Sequence, residues 1–167
     1  MVFVVAHSET RNDIDPLAAA REQLEIAIEL FLSGRSHVSA LTLAGAASGV
    51  FESALIAKGE QSMLNSSFEA MDQTQKIAPW FGDVRHDLPK DKRLQAFKHR
   101  KNLERDLLKH GPQTRSDNRY QRPRIHPDLE DAAYEMILRA DVDRESLGVA
   151  ETSNREAFNE WFYKHVV

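Results

Sequence analysis

Residues 16–59, PLAAAREQLEIAIELFLSGRSHVSALTLAGAASGVFESALIAKG, decide the fold class because they contain two helix patterns with their boundaries. The first helix starts at Asp15-Pro16, since aspartate is a good N-cap and proline fits the first helical position. Its apolar residues recur at helical spacing until Ser33-Gly34, where the helix ends. The second helix runs from about Ser36 to Lys58 and stops at Gly59. Its many alanines and glycines make it narrow, so a neighbouring element can approach closely.

The rest of the chain shows the same helical periodicity, so we expect an all-α bundle of five or six helices. A third helix is expected at residues 60–77 and a long basic helix from Lys90 to about Lys109. Two more follow the start signal His126-Pro127-Asp128 and the capping box Ser153-Asn154-Arg155-Glu156. Only Val2 to Ala6 shows any alternation typical of a strand.

Length and composition indicate one soluble domain spanning residues 1–167, with an irregular N-terminal tail at 1–14 and a basic loop at 111–125. The absence of cysteine excludes a disulfide scaffold and a thiol nucleophile, and it fits a cytoplasmic location. The N-terminus lacks the basic flank and cleavage site of a signal peptide. The apolar segment 38–57 carries Glu52 and several hydroxyl residues, so we expect a buried bundle helix and no membrane association.

The net charge of −4 conceals an uneven distribution. Between Arg85 and Arg124 there are thirteen Lys or Arg against five Asp or Glu, a net charge of +8, while the remaining residues carry −12. Such asymmetry indicates a basic surface directed at a polyanion. Acidic helices that pack against a basic one within the fold explain the same distribution, and charge alone does not separate the two interpretations.

The stretch from Arg100 to His110, RKNLERDLLKH, contains the groups best suited to phosphate chemistry. Arg105 supplies a cationic fork that fits phosphate oxygens, and Asp106 is one helical turn from His110, close enough to orient the imidazole. These three residues are the candidate catalytic set: Arg105 as transition-state stabiliser, Asp106 as orienting group and His110 as general acid or base. The face that carries Arg105 also carries the candidate nucleic-acid contacts Lys98, Lys101, Asn102 and Lys109.

A structural explanation competes with this chemistry. Basic residues followed by a histidine also cap a helix C-terminus well. Glu52 needs a cationic partner if it is buried, and Arg105 is one candidate for that partner, which would make Arg105 structural.

The loop from Gly111 to Ile125 adds a second set of candidate nucleic-acid contacts, in which an aromatic ring can stack a base and arginines can bind phosphates. This set comprises Arg115, Arg119, Tyr120, Arg122 and Arg124. A solvated loop without a ligand is the alternative. His86 with Asp83 and Asp87 lacks a fourth ligand, so we expect no metal site, and no motif indicates a cofactor.

Three stretches resemble the HEPN-domain superfamily, and in particular its short standalone bacterial members. They are QLEIAIELFLSGRSHVSALTLAGAASGVFESALIAKG at 23–59, AFKHRKNLERDLLKH at 96–110, and LEDAAYEMILRA followed by FNEWFYKH between 129 and 165. The signature of this superfamily is an arginine, usually a polar residue next, and a histidine after four to six intervening positions. Arg105, Asp106 and His110 match that signature, with four residues between the arginine and the histidine.

The resemblance implies a HEPN-like helical bundle. In members that cleave RNA it implies a metal-independent endoribonuclease, in which the ribose 2′-hydroxyl attacks the neighbouring phosphate. Two copies of the motif then meet across a homodimer to form one composite site. The alternative implied by the resemblance is a non-catalytic module that binds RNA, a nucleotide or a cognate protein partner.

Overall fold

The computed structural model describes residues 14–78, 88–110 and 128–165, without the side chains of Glu104, Leu107, Lys109 and His110. This part of the chain is all-α, as expected. Its helices are α1 (Pro16–Leu32), α2 (His37–Lys58), α3 (Met63–Ile77), α4 (Lys90–Lys101), α5 (Leu103–His110), α6 (Leu129–Ser146) and α7 (Arg155–His165). The segments predicted as an irregular tail and as a basic loop lie outside the described residues, apart from Ile14.

The helix ends follow the signals in the sequence. Asp15 caps α1 by accepting a hydrogen bond from the backbone N–H of Leu17 at 2.9 Å. Ser36 is the N-cap of α2, and Gly59 ends that helix in the left-handed region with φ 77°. Asp128 caps α6 by accepting hydrogen bonds from the backbone N–H groups of Glu130 and Asp131. Local side-chain chemistry therefore sets the bounds of the three helices that form the main core.

The main core lies between α1, α2 and α6. Its largest fully buried members are Leu24 and Ile28 of α1, Leu41 and Phe51 of α2, and Ile137 of α6. The buried alanines of α2 let the neighbouring helices approach closely. Aromatic rings extend the core toward α7, where Phe31 packs edge-on against Trp161 at a centroid distance of 4.6 Å.

A second, smaller core lies between α3 and α4. It consists of Leu64 and Phe68 from α3 and Phe97 from α4, with Met71 and Leu94 packed against it. Ion pairs join the same two helices: Lys90 binds Glu69 at 2.7 Å, and Arg93 binds the buried carboxylate of Asp72.

The buried carboxylate of Asp143 connects α6 to the start of α3. The side chain of Asp143, only 1 % exposed, accepts a hydrogen bond from the backbone N–H of Met63 at 2.6 Å. It therefore binds one of the N–H groups that a helix start leaves without a partner. Burial raises the pKa of Asp143, while the hydrogen bond from Met63 and the charge of Arg139 act in the opposite direction.

Two local predictions need correction. The long basic helix expected from Lys90 to about Lys109 is divided at Asn102, which separates α4 from α5. With α4 and α5 counted as the one helix that was predicted, the described residues contain six helices, within the expected five or six. Ser153 does precede the last helix, but its backbone N–H and its hydroxyl both donate to the carboxylate of Glu25 on α1, each at 2.7 Å. A long-range contact therefore engages the residue that was expected to form a capping box.

Among the described helices, α2 is long and apolar enough to cross a membrane. The core helix of a soluble protein passes the same test, and α2 contributes many of the residues that form the main core.

Candidate functional site

The break between α4 and α5 at Asn102 is accompanied by a contact with α6. The side-chain oxygen of Asn102 accepts a hydrogen bond from Nη1 of Arg139 at 2.9 Å. The backbone N–H of Asp106 donates to the carbonyl of Asn102 at 2.8 Å, so α5 starts directly after this residue. Asparagine is a moderate helix former, so its presence alone does not predict a break. The hydrogen bond comes from Arg139 on another helix, which the periodicity of this segment cannot reveal.

Lys98, the first cation of the predicted nucleic-acid face, is paired within the protein. Its ammonium lies 2.8 Å from a carboxylate oxygen of Glu52 on α2, and both side chains are partly buried. Glu52 thus has a cationic partner, as its place in an apolar helix required, but that partner is Lys98 and not Arg105. Arg105 is therefore not committed to neutralising Glu52.

The stem of Arg105 packs directly over Gly45 of α2. A Cβ atom built on Gly45 would lie 2.4 Å from Cδ of Arg105, so only glycine admits the arginine stem at this position. The head group is held by its chain neighbour: Nε and Nη2 donate to Oδ1 of Asp106 at 3.0 and 2.8 Å. Arg105 is 24 % exposed and Asp106 33 %, so the pair stays accessible to a ligand.

Arg139 on α6 is a buried cation, only 6 % exposed. Within the described part of the chain, its hydrogen bonds go to neutral acceptors: the hydroxyl of Ser48 at 2.9 Å, the amide oxygen of Asn102 at 2.9 Å and the sulfur of Met136 at 3.0 Å. Burial lowers the pKa of Arg139, and the nearby charge of Arg105 lowers it further. Nearby carboxylates favour the charged form, but none of the described ones forms an ion pair with it.

A cavity of about 280 Å³ brings these groups together. Its charged lining residues are Lys101 of α4, Arg105 of α5, and Arg139 and Glu135 of α6. Glu135 binds Lys101 at 2.9 Å, and both side chains remain substantially exposed. The described lining therefore carries three cations and one carboxylate. The rest of the lining is mainly apolar and includes Leu41, Met63, Leu64, Phe97 and Leu138.

The structure thus brings together some of the predicted site residues. Lys101 and Arg105 line the cavity. Asn102 is not among the lining residues, but it accepts a hydrogen bond from Arg139, which is. The side chains of Lys109 and His110 are not described, so the predicted contact between Asp106 and His110 stays a prediction. The candidate contacts of the basic loop lie outside the described residues; they are Arg115, Arg119, Tyr120, Arg122 and Arg124. The same holds for Asp83, His86 and Asp87, for which no metal site was expected. Within the described ranges, no group of histidine and carboxylate side chains is placed to hold a metal ion.

Arg139 and Glu135 were missed by the sequence analysis. Arg139 did carry a signal: it lies three residues after Met136 and directly before Ala140, on the apolar side of α6. A cation on the buried face of a helix requires a partner, and that requirement points to a polar site. Glu135 carried no comparable signal, because an exposed glutamate on a helix is ordinary.

Comparisons of the chain with protein-family models, with curated proteins and with solved structures found no match.

Proposed function

We propose that this protein binds a phosphate-bearing ligand, RNA or a nucleotide, at Lys101, Arg105 and Arg139. The observation that carries the proposal is the cavity at which these three cations meet, with Glu135 as its only carboxylate among the described lining residues. Phosphate oxygens suit this arrangement because guanidinium groups bind them through paired, charge-assisted hydrogen bonds.

The electrostatics of Arg139 support an anionic ligand. A buried charge is unfavourable unless it is paired, and Arg139 is held by neutral acceptors while Arg105 adds a second positive charge nearby. A bound anion would favour the charged form of Arg139 and offset its repulsion by the charge of Arg105. Lys101 can join them because its partner Glu135 is on the exposed rim of the cavity.

The resemblance to the HEPN-domain superfamily supports the same ligand class. The resemblance implies an α-helical bundle, and the described part of the chain is one. It also implies an arginine that contacts phosphate at the position of Arg105, which lines the cavity.

A catalytic form of the proposal is a metal-independent endoribonuclease formed by a homodimer. The observation that favours it is the pairing of Arg105 with Asp106, which holds a partly exposed guanidinium in the helix that ends at His110. In this proposal Arg105 stabilises the charge on the phosphate, Asp106 orients the imidazole of His110, and His110 transfers the proton. A second copy of the motif across a two-fold axis completes the site.

Binding is tested by fluorescence anisotropy with a labelled single-stranded RNA and with AMP as competitor. We expect the affinity of the parent protein for RNA to fall as salt rises. Arg105→Gln should weaken binding and reduce the salt slope by about one unit, because one phosphate contact is lost. The matched control is Arg35→Gln, which removes an exposed arginine paired with Glu29 in the α1–α2 turn. Equal affinities for the parent and Arg105→Gln would overturn the proposal.

Catalysis is tested by incubating the parent and His110→Ala with RNA in the presence of a chelator. Cleavage by the parent alone, leaving 2′,3′-cyclic phosphate ends, supports the endoribonuclease. Binding without cleavage, together with a monomeric mass in light scattering, supports the non-catalytic module instead.

A further inference from the structure

The apolar residues that line most of the cavity restrict the class of ligand that can bind there. They are formed mainly by hydrocarbon and thioether side chains from four helices, such as Leu41, Met63, Phe97 and Leu138. Apart from its charged residues, the lining contributes the polar side chains of Ser67 and Tyr134 only, as far as the structure describes it. A ribose and a base would lose several hydrogen bonds to water here and regain few, which is unfavourable.

The charged residues of the cavity come from three of its helices. All three cations lie on α4, α5 and α6, while α3 contributes only the uncharged residues Met63, Leu64 and Ser67. A ligand that matches this lining has an anionic group at one end and an apolar body at the other. The volume of about 280 Å³ is at the small end for ligand pockets and suits a body of modest length.

We infer that the cavity binds a small amphiphilic anion, a medium-chain alkyl carboxylate or its phosphate equivalent, with the head group at Lys101, Arg105 and Arg139 and the chain against α3. This inference rests on the proposed function to the extent that the same cations hold the anion. It differs in that the apolar body of the ligand, and not a base and sugar, provides most of the buried contact.

Glu135 adds a second consequence. Its carboxylate occupies Lys101 in the free protein, so it competes with the head group of the ligand for that cation. Removing the charge of Glu135 leaves three cations without a competing carboxylate among the described lining residues. Glu135→Gln should therefore bind the anion several-fold more tightly, an effect that a purely structural role of Glu135 would not produce.

The test is isothermal titration of the full-length protein with decanoate, below its micelle concentration, in parallel with decanol and AMP. Ser67→Leu fills the cavity from α3, and Ser66→Leu is the matched control because Ser66 is its exposed neighbour and does not line the cavity. We expect decanoate to bind the parent and Ser66→Leu equally, and Ser67→Leu at least tenfold more weakly. Decanol should bind the parent at least tenfold more weakly than decanoate, because it lacks the charge.

The outcomes separate this inference from the proposed function. Binding of AMP or RNA without binding of decanoate overturns the inference and leaves the proposed function in place. Decanoate binding that Ser67→Leu leaves unchanged, or that decanol equals, overturns the inference as well. Binding of decanoate without any binding of AMP or RNA supports the inference for an alkyl carboxylate and overturns the proposed phosphate ligand.

Discussion

Gly45 and Gly49 lie one turn apart in α2 and offer a matched pair of substitutions. At Gly45, an added Cβ would lie 2.4 Å from Cδ and 2.9 Å from Cγ of Arg105, whereas at Gly49 it would meet no atom within 4 Å. Both atoms of Arg105 belong to the middle of a side chain whose head is held by Asp106. The stem therefore cannot move aside without breaking that pair or shifting α5.

The two substitutions share one favourable effect. Replacing glycine by alanine inside a helix stabilises the fold by about 1 kcal/mol. Gly49→Ala should show this gain in full. Gly45→Ala should also incur an overpacking cost of about 1–3 kcal/mol, so its net effect lies between no change and a loss of about 2 kcal/mol. The difference between the two variants, about 1–3 kcal/mol, measures the contact with Arg105 because the propensity gain cancels.

Urea unfolding followed by circular dichroism at 222 nm measures both free energies of unfolding, and thermal melting provides a check. For a chain of this length, 1 kcal/mol corresponds to a shift of about 2–4 °C in Tm. We also expect Gly45→Ala, but not Gly49→Ala, to weaken RNA or AMP binding, since it displaces Arg105. If Gly45→Ala stabilises the protein as much as Gly49→Ala does, Arg105 does not pack tightly against Gly45 and the reasoning is refuted.

Three further predictions concern carboxylates. Because burial raises the pKa of Asp143 in the folded state, the free energy of unfolding should fall as pH rises from the ordinary pKa of aspartate to that raised value. In urea titrations across this range, the parent should therefore lose more stability than Asp143→Asn, and equal slopes would contradict the prediction. Asp141→Ala should lower the free energy of unfolding by about 3 kcal/mol, because it leaves the buried guanidinium of Arg144 without its ion pair; a loss below 1 kcal/mol in the same assay would contradict this. The partly exposed pair of Lys98 and Glu52 should show a coupling energy of no more than about 1 kcal/mol in a double-mutant cycle with Lys98→Met and Glu52→Gln.

Most of the fold could be predicted because it depends on local signals. The bounds of α1, α2 and α6 follow from Asp15, Ser36, Gly59 and Asp128, whose side chains or backbone satisfy the groups at the helix ends. The apolar periodicity then gives the residues of the main core. The division at Asn102 and the contact of Ser153 with Glu25 depend on residues far away in sequence, so no local pattern could reveal them.

The candidate site could be predicted only in part, for the same reason. The spacing within one helix led to Arg105, and Lys101 followed from the shared face. The residues that contact those cations come from other helices: Gly45 of α2 packs against the stem of Arg105, and Glu135 of α6 forms an ion pair with Lys101. The position of Arg139 on the apolar side of α6 indicates a buried cation, but its partners Ser48 and Asn102 come from other helices and only the packed structure reveals them.

The two cores of unequal size have a consequence for the order in which the protein opens. The helix α3 is held by the small cluster around Phe68, by its ion pairs with α4 and by the hydrogen bond from Met63 to Asp143, whereas α1, α2 and α6 share the larger main core. Amide protons in α3 should therefore exchange with solvent through a local opening well below the global free energy of unfolding. The cavity is lined by residues of both cores, so a ligand that contacts both should stabilise this region and slow the exchange of amide protons in α3.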